Sequence, residues 1–446
     1  MANETAADWD EPNEDRAGDG APDRPVVERW MVLGVVTLAI FLRGRAAEEM
    51  QTLNRDPQGY RQIAEALTRH GVYGLFLFTS KPIPTAYRPP IYPLLLAPSV
   101  VLREGAPLAV AMLHLLFGAL TVWLVWRLGC RWGMPLRAAL LASGLIAVDP
   151  ILLNRSGQIV SETLATLLAV VALHALTSFS DRPTWRRAGL AGACLGLGIL
   201  CQPTYLAWLA CTVALLPAAL GQMLPWRIRW SQACACLLGA AAVLAPWVVR
   251  NQMQFGVPIV TTTHGGYALL LGNNPSVYDH LRSGAWGSDW DPREFNATWL
   301  GEQQTVGADE VSRDRLAYAL AWQNIRDEPS MFLLSSVARV GSLWGLVPSR
   351  VTPFEGHRAR FLRYATGVWY ALEFMLAALG VFELGRRIAR TPWLWGTLLV
   401  VSFTAAQATF SGSLYERAPL APVLTLLAAT GARELWAGRR PIKLAS

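Results

Sequence analysis

Apolar residues in this chain gather into long runs separated by short gaps that carry arginine. Runs of span length lie at 29–46, 107–127, 136–153, 160–179, 187–202, 204–221, 231–249, 364–384, 393–411 and 418–434. About 20 apolar residues in a helix cross a bilayer core, so the pattern predicts an all-α polytopic membrane protein with about ten transmembrane helices. Two further runs are set apart from that count. Ile91 to Leu102 has only 12 residues and reads as an interfacial or re-entrant helix. Met331 to Val347 has 17 residues with Arg339 at its centre, and the cost of that charge, about 2.5 kcal/mol or more, nearly cancels the gain from its apolar neighbours. Leu333, Val337, Val340, Trp344 and Val347 share one helical face there, while Ser335, Arg339 and Ser342 share another. That is the pattern of a helix lying in the interface; if both runs crossed, the count would be eleven or twelve.

Ten spans place most basic gaps on one side, including Arg127, Arg131, Arg182, Arg186, Arg227, Arg386, Arg387, Arg390 and Lys443. The positive-inside bias makes that side cytoplasmic. Both termini then face the cytoplasm, and two long loops, 47–106 and 250–363, face outward from a plasma (inner) membrane. Residues 1–27 are acidic and rich in Pro and Gly, a composition expected to be a disordered tail. They lack the cationic start of a cleavable signal, so the first span reads as a retained anchor. Residues 28–435 form the membrane domain, and 436–446 a second cytoplasmic tail.

Composition agrees: 53% of the 446 residues are hydrophobic and 16% charged, and the 19 tryptophans suit the two membrane interfaces. The net charge of +7 arises from arginines beside apolar segments, so nucleic acid is not an expected partner. All six cysteines lie in or next to spans. Cys234-Ala-Cys236 has the wrong spacing for zinc, and no metal-ligand set is assigned.

The outward loops hold the candidate chemistry. Asp56 and Pro57 precede Tyr60, Ile63, Ala64 and Leu67 at helical spacing; Asp56 therefore reads as an N-cap with Pro57 at the first helical position. A carboxylate held in that way is also fixed for catalysis. Lys81, Arg88, Arg250, Arg358, Arg360 and Arg363 defy the positive-inside bias, and a guanidinium fork suits phosphate oxygens. Loop solvation and, for Arg250, headgroup anchoring are the plainer readings. Glu162 opens a span on the outward side, where a helix dipole favours an anion; the alternative is a second active-site carboxylate. Asp149 reads as a cap. Tyr60, Tyr87, His264, Asn273 and Asn274 are candidate substrate contacts, with structural roles as the alternative for His264 and for the turn Gly272-Asn273-Asn274-Pro275.

These segments come in a telling order: Asp56-Pro-Gln-Gly-Tyr60, Tyr87-Arg88-Pro89-Pro90-Ile91-Tyr92-Pro93, Ser161-Glu162-Thr163, Pro246-Trp247 to Arg250-Asn251, Gly265-Gly266 to Pro275, and Tyr415-Glu416-Arg417 to Pro422. Over residues 30–435 they resemble the GT-C superfamily of membrane glycosyltransferases, particularly the dolichyl-phosphate-mannose protein mannosyltransferase and aminoarabinose-transferase group. The resemblance implies a GT-C-like bundle with juxtamembrane helices in the two outward loops and a polyprenyl-phosphate-linked sugar as donor. It also implies Asp56 as the general base on an acceptor hydroxyl, or as the group that orients the acceptor, with Glu162 facing it and inversion at the anomeric carbon. Many relatives carry an acidic pair where this chain has Asp56 and Pro57. The expected partners are the lipid-linked sugar, membrane lipids and an acceptor glycan, lipid or protein; a divalent cation is the one cofactor left open. A transporter or a non-catalytic lipid-binding protein are the alternative classes. No internal repeat of the kind a transporter shows is visible.

Overall fold

The structure, a computed structural model, describes residues 24–48, 59–76, 80–102, 106–220, 224–284, 290–306, 309–349, 355–410 and 412–436. Helix α1 (Arg24–Glu48) is followed by α2 (Tyr60–His70), a minimal hairpin of β1 (Gly74–Leu75) and β2 (Ile83–Pro84), and α3 (Ile91–Val101). The hairpin pairs Gly74 with Pro84 and Leu75 with Ile83, antiparallel. Seven helices come next: α4 (Ala106–Arg131), α5 (Leu136–Ala147), α6 (Pro150–Ser156), α7 (Glu162–Asp181), α8 (Trp185–Ile199), α9 (Tyr205–Ala219) and α10 (Trp226–Phe255). The second long loop holds α11 (Gly265–Gly272), α12 (Pro275–Arg282), α13 (Arg293–Val306), α14 (Glu310–Asp327) and α15 (Pro329–Leu343). The chain closes with α16 (His357–Leu384), α17 (Trp393–Thr409) and α18 (Ala421–Trp436), and a 3-10 segment, Leu414–Leu420, precedes α18.

Among the described residues, four helical stretches are long and apolar enough to cross a membrane: α4, α7, α10 and His357–Ala389. The bent pair α5 and α6 makes a fifth if it is one span. The chain is a multi-pass membrane protein, helical but for the small hairpin. Helices α8, α9, α17 and α18 have 15 to 17 residues, about 22–26 Å at 1.5 Å per residue. Length and composition thus qualify only half of the ten expected spans. Helix α18 is buried along nearly its whole length, and α7 packs on α8, α4 and the 3-10 segment. Close approach of α8 and α10 rests on glycine. A side chain at Gly192 would meet the Cys236 carbonyl, and one at Gly239 the Gly189 carbonyl.

The expected span 136–153 is not one helix. It breaks after Ala147 and resumes at Pro150 with a bend of 47°. Asp149 caps the new helix by accepting from Leu152 N at 2.8 Å, with Pro150 at the first helical position. Proline has no N–H to continue α5. The carbonyls left open at the end of α5 are met by buried Arg43, whose Nη1 and Nη2 donate to Ala147 O (3.1 Å) and Ile146 O (3.2 Å). A second correction concerns α2. It begins at Tyr60, and its N-cap is Gly59 in the left-handed region at φ 74°, a conformation glycine adopts without Cβ strain. Asp56 is therefore not the cap of this helix; Asp56 and Pro57 lie outside the described residues.

The two short apolar runs form the helices α3 and α15, the second of 15 residues. Helix α3 has 11 residues, about 16 Å. It buries Tyr92 and Leu96 and exposes Leu94, Leu95 and Val101. Helix α15 leaves Leu333 and Val337 exposed and buries Ser335 and Arg339. Arg339 donates to the carbonyls of Gly272 and Ala408 and to the hydroxyls of Ser335 and Ser336, so its charge is solvated by protein dipoles.

Candidate active site

One end of the bundle gathers the first loop, the start of α7, the turn after α8 and the 3-10 segment. Helix α3 docks there through Ile91 N, which donates to Leu200 O at 3.1 Å. From α2, buried Tyr60 donates its hydroxyl to Ser161 Oγ at 3.1 Å, and its ring meets Tyr92 edge-on at 4.9 Å. Arg88 lies over the rings of Tyr87 (4.5 Å) and Tyr60 (5.6 Å), an arrangement that holds a cation beside aromatic faces. Its backbone is pinned as well, since the Tyr73 hydroxyl donates to Arg88 O at 2.9 Å and to Pro89 O at 3.2 Å.

Immediately after Ser161, Glu162 is buried at the N-terminus of α7, where the helix dipole favours its charge. Arg155 Nε stands 3.4 Å from Glu162 Oε1, and the Arg155 guanidinium covers the Tyr415 ring at 3.4 Å. Next to Tyr415, half-buried Glu416 accepts from Gln202 Nε2. Burial, with Glu162 nearby, raises the Glu416 carboxyl to about 7, against the pull of Arg155 and Arg88. Two carboxyls and two guanidiniums thus lie within electrostatic reach of one another. Among the described residues, Glu162 Oε2, Thr163 Oγ1 and Gln202 Oε1 are buried without a hydrogen-bond partner. Buried polar atoms of this kind are costly unless something polar meets them.

A clamp fixes the loop that carries Arg88. Glu310, at the start of α14, accepts from Thr85 Oγ1 (2.7 Å), Ala86 N (2.8 Å) and Thr263 Oγ1. Arg250, near the end of α10, donates to Thr85 O and Tyr73 O, both at 2.8 Å, and to Asn251 Oδ1 at 2.9 Å. Its terminal nitrogens face loop carbonyls, so Arg250 positions the loop that carries Arg88. His264 joins the same wall: its ring meets Tyr87 edge-on at 4.6 Å and stacks on Tyr267 at 5.0 Å. Burial and the Arg88 charge push this imidazole down to about 3. It is neutral at physiological pH and offers one N–H donor.

The other expected residues fall elsewhere. Asn273 and Asn274 are fully buried; Asn273 Oδ1 accepts from Arg339 and Tyr278, and Asn274 caps α12 by accepting from Val277 N at 3.0 Å. Both are structural. Arg363 makes a two-pronged ion pair with Glu355, at 2.9 Å from Nε and 3.0 Å from Nη2. Arg358 and Arg360 stand exposed on the first turn of α16, and Lys81 is exposed in the hairpin connection. The structure therefore brings Tyr60, Tyr87, Arg88, Glu162 and His264 together. To these it adds Arg155, Gln202, Glu416 and Glu310. Only Glu416 carries a prior sequence signal, its place in the Tyr415-Glu416-Arg417 motif; Arg155, Gln202 and Glu310 are ordinary polar residues until folding places them. Among the described residues no three His, Cys, Asp or Glu side chains converge as a metal-ligand set.

Residues 87–249, which include Arg88, Arg155, Glu162 and Gln202, match the family described as dolichyl-phosphate-mannose-protein mannosyltransferase. In fold, 93% of the chain superposes on the oligosaccharyltransferase AglB from Archaeoglobus fulgidus, solved with an inhibitory peptide and a dolichol-phosphate, at a TM-score of 0.53 and 18% identity. The chain has the fold of the GT-C membrane glycosyltransferases. A second structure of an Archaeoglobus fulgidus oligosaccharyltransferase, tethered to an acceptor peptide with the NVT sequon, aligns over 91% of the chain at a TM-score of 0.52 and 16% identity. ArnT from Cupriavidus metallidurans, bound to undecaprenyl phosphate, aligns over 94% of this chain and 79% of its own at a TM-score of 0.39 and 15% identity. At such identities the archaeal likeness establishes the GT-C fold alone. The chain spans about half the length of the archaeal enzymes, 52% and 49%. No curated protein sequence matches it.

Proposed function

We propose that the chain transfers a sugar from a polyprenyl-phosphate donor to an acceptor on the outer face of the membrane. The observation that carries this reading is that Arg88, over the Tyr60 ring, and Glu162, next to the Ser161 that Tyr60 bonds, lie at one end of the bundle and within the segment that matches the mannosyltransferase family. In such a transfer the anomeric C–O bond to phosphate breaks as the acceptor oxygen bonds to that carbon, and the acceptor proton passes to a base. Negative charge grows on the departing phosphate, where a fixed guanidinium is most useful. Arg88 supplies it, held by Tyr60, Tyr87 and the Glu310 clamp. Glu162, paired with Arg155, accepts from sugar hydroxyls, and Glu416 in its protonated form donates to them. Thr163 and Gln202 supply further polar atoms that such hydroxyls would satisfy. Asp56 is the proposed base, with inversion at the anomeric carbon.

The test compares envelope glycans of cells with and without the protein. The expected result is one sugar residue missing from one envelope component, restored by the wild-type chain and not by Asp56→Asn. Identical glycans in the two strains would set the reading aside in favour of a non-catalytic lipid-binding role.

A further inference from the structure

The end of the bundle opposite the candidate active site carries a second feature. Helix α7 starts at Glu162 and ends at Asp181, about 30 Å away at 1.5 Å per residue. There Asp181 accepts from Arg131, the last residue of α4, at 2.6 Å. Just beyond Arg131, an open cavity of about 300 Å³ lies between the α4–α5 turn, the segment joining α16 to α17, and the end of α18. Its wall is aromatic: Trp132 and Trp393 meet at 4.6 Å, and Trp132 is fixed by donating Nε1 to Thr177 Oγ1 at 3.0 Å. Its charge comes from Arg387, Arg390 and Arg433; no carboxylate lines it, and the one beside these arginines is Glu434, 3.9 Å from Arg433.

A topology signal requires arginines near the membrane end, but it does not require three of them around one concave, aromatic-walled space. Arginines lining a cavity whose wall holds no carboxylate suit a phosphate. The two helices whose ends line the cavity, α16 and α18, present exposed apolar side chains: Phe382 is 84% exposed, Leu435 55% and Trp436 71%. Acyl chains would lie against those side chains with their headgroup in the cavity.

We infer that the cavity lined by Arg387, Arg390 and Arg433 binds the phosphate headgroup of an anionic membrane phospholipid, on the side of the membrane opposite sugar transfer. The site is separate from the proposed reaction, and its test does not depend on that reaction. Polybasic surfaces near a bilayer attract anionic lipid additively, charge by charge. The cavity adds a fixed position to that attraction.

The experiment titrates the purified full chain in neutral detergent with phosphatidylglycerol or phosphatidylcholine and counts bound lipids by native mass spectrometry. Wild type is expected to bind phosphatidylglycerol in preference. The triple variant Arg387→Gln, Arg390→Gln, Arg433→Gln should lose that preference by about tenfold or more, while each single variant loses part of it. The triple Lys variant should recover most of it. Arg386→Gln removes the same charge from the neighbouring residue, which does not line the cavity, and should bind as wild type. Unchanged preference in all three single variants would overturn the inference. So would an equal loss in Arg386→Gln, which would mean diffuse surface charge. Displacement of the lipid by inorganic phosphate at equal concentration would overturn the assignment to a lipid and make the cavity a site for a free anion.

Discussion

Glu416 is a carboxyl without a cation of its own. Arg155 stands against Glu162, and Glu416 has Gln202 as its neutral partner. With its titration raised to about 7, it holds a proton through the acidic range and gives it up near neutrality. The fold therefore favours the protonated form. That contribution to stability is complete below the ordinary value of 4.5 and is lost as pH rises through about 7. If the neutral acid donates to a sugar hydroxyl, transfer declines above pH 7 in wild type. Glu416→Gln, a permanently neutral donor, should keep its rate flat above pH 7 and remove the fall in thermal midpoint between about pH 4.5 and 7. A pH–rate profile of the variant that still falls above pH 7 would assign the decline to another group. At this scale the sequence is only partly legible. Arg88 and Glu162 could be picked out because an outward arginine and a carboxylate at a span start are both unusual. Gln202 and Arg155 could not, because their meaning comes from a neighbour far along the chain.

Helix lengths and hydrophobic patterning were readable because a bilayer imposes them locally. Helices α4, α7 and α10 follow the expected runs, and α3 is too short to cross, as its 11 residues require. The break at Asp149 and Pro150 was masked by continuous hydrophobicity, although Asp followed by Pro is a helix-start signal. In the same way Gly59 replaced Asp56 as the limit of α2, because a left-handed glycine ends the helical run more decisively than a carboxylate begins one. Placement of the Arg88 loop depends on contacts between elements that no local pattern encodes. Glu310 on α14 holds Thr85, Ala86 and Thr263 at once. Glu310→Ala should leave those donors unmet, cost about 3 kcal/mol of stability, and weaken donor binding more than turnover. Thermal unfolding together with KM and kcat for the donor checks this. An unchanged KM would separate the clamp from the site.

The whole molecule has two chemically different ends. One collects carboxyls, arginines and aromatic rings over the start of α7; the other collects Arg387, Arg390 and Arg433 around two tryptophans. Antiparallel helices make the separation possible, because successive spans return the chain alternately to each end. The polytopic class and the GT-C likeness were legible in the order of short motifs, and the fold brings the Tyr87-Arg88, Ser161-Glu162 and Tyr415-Glu416 motifs to one end of the bundle. The number of crossings was less so, because α8, α9, α17 and α18 are short. The central claim is that this architecture moves a sugar off a lipid phosphate. The most direct measurement is release of free polyprenyl phosphate from a labelled polyprenyl-phosphate sugar in membranes containing the protein. Release above that of membranes lacking the protein is expected for wild type, with Asp56→Asn and Arg88→Gln each lowering it by about a hundredfold. No release by wild type with any polyprenyl-phosphate sugar, or full release by Asp56→Asn, would contradict the account.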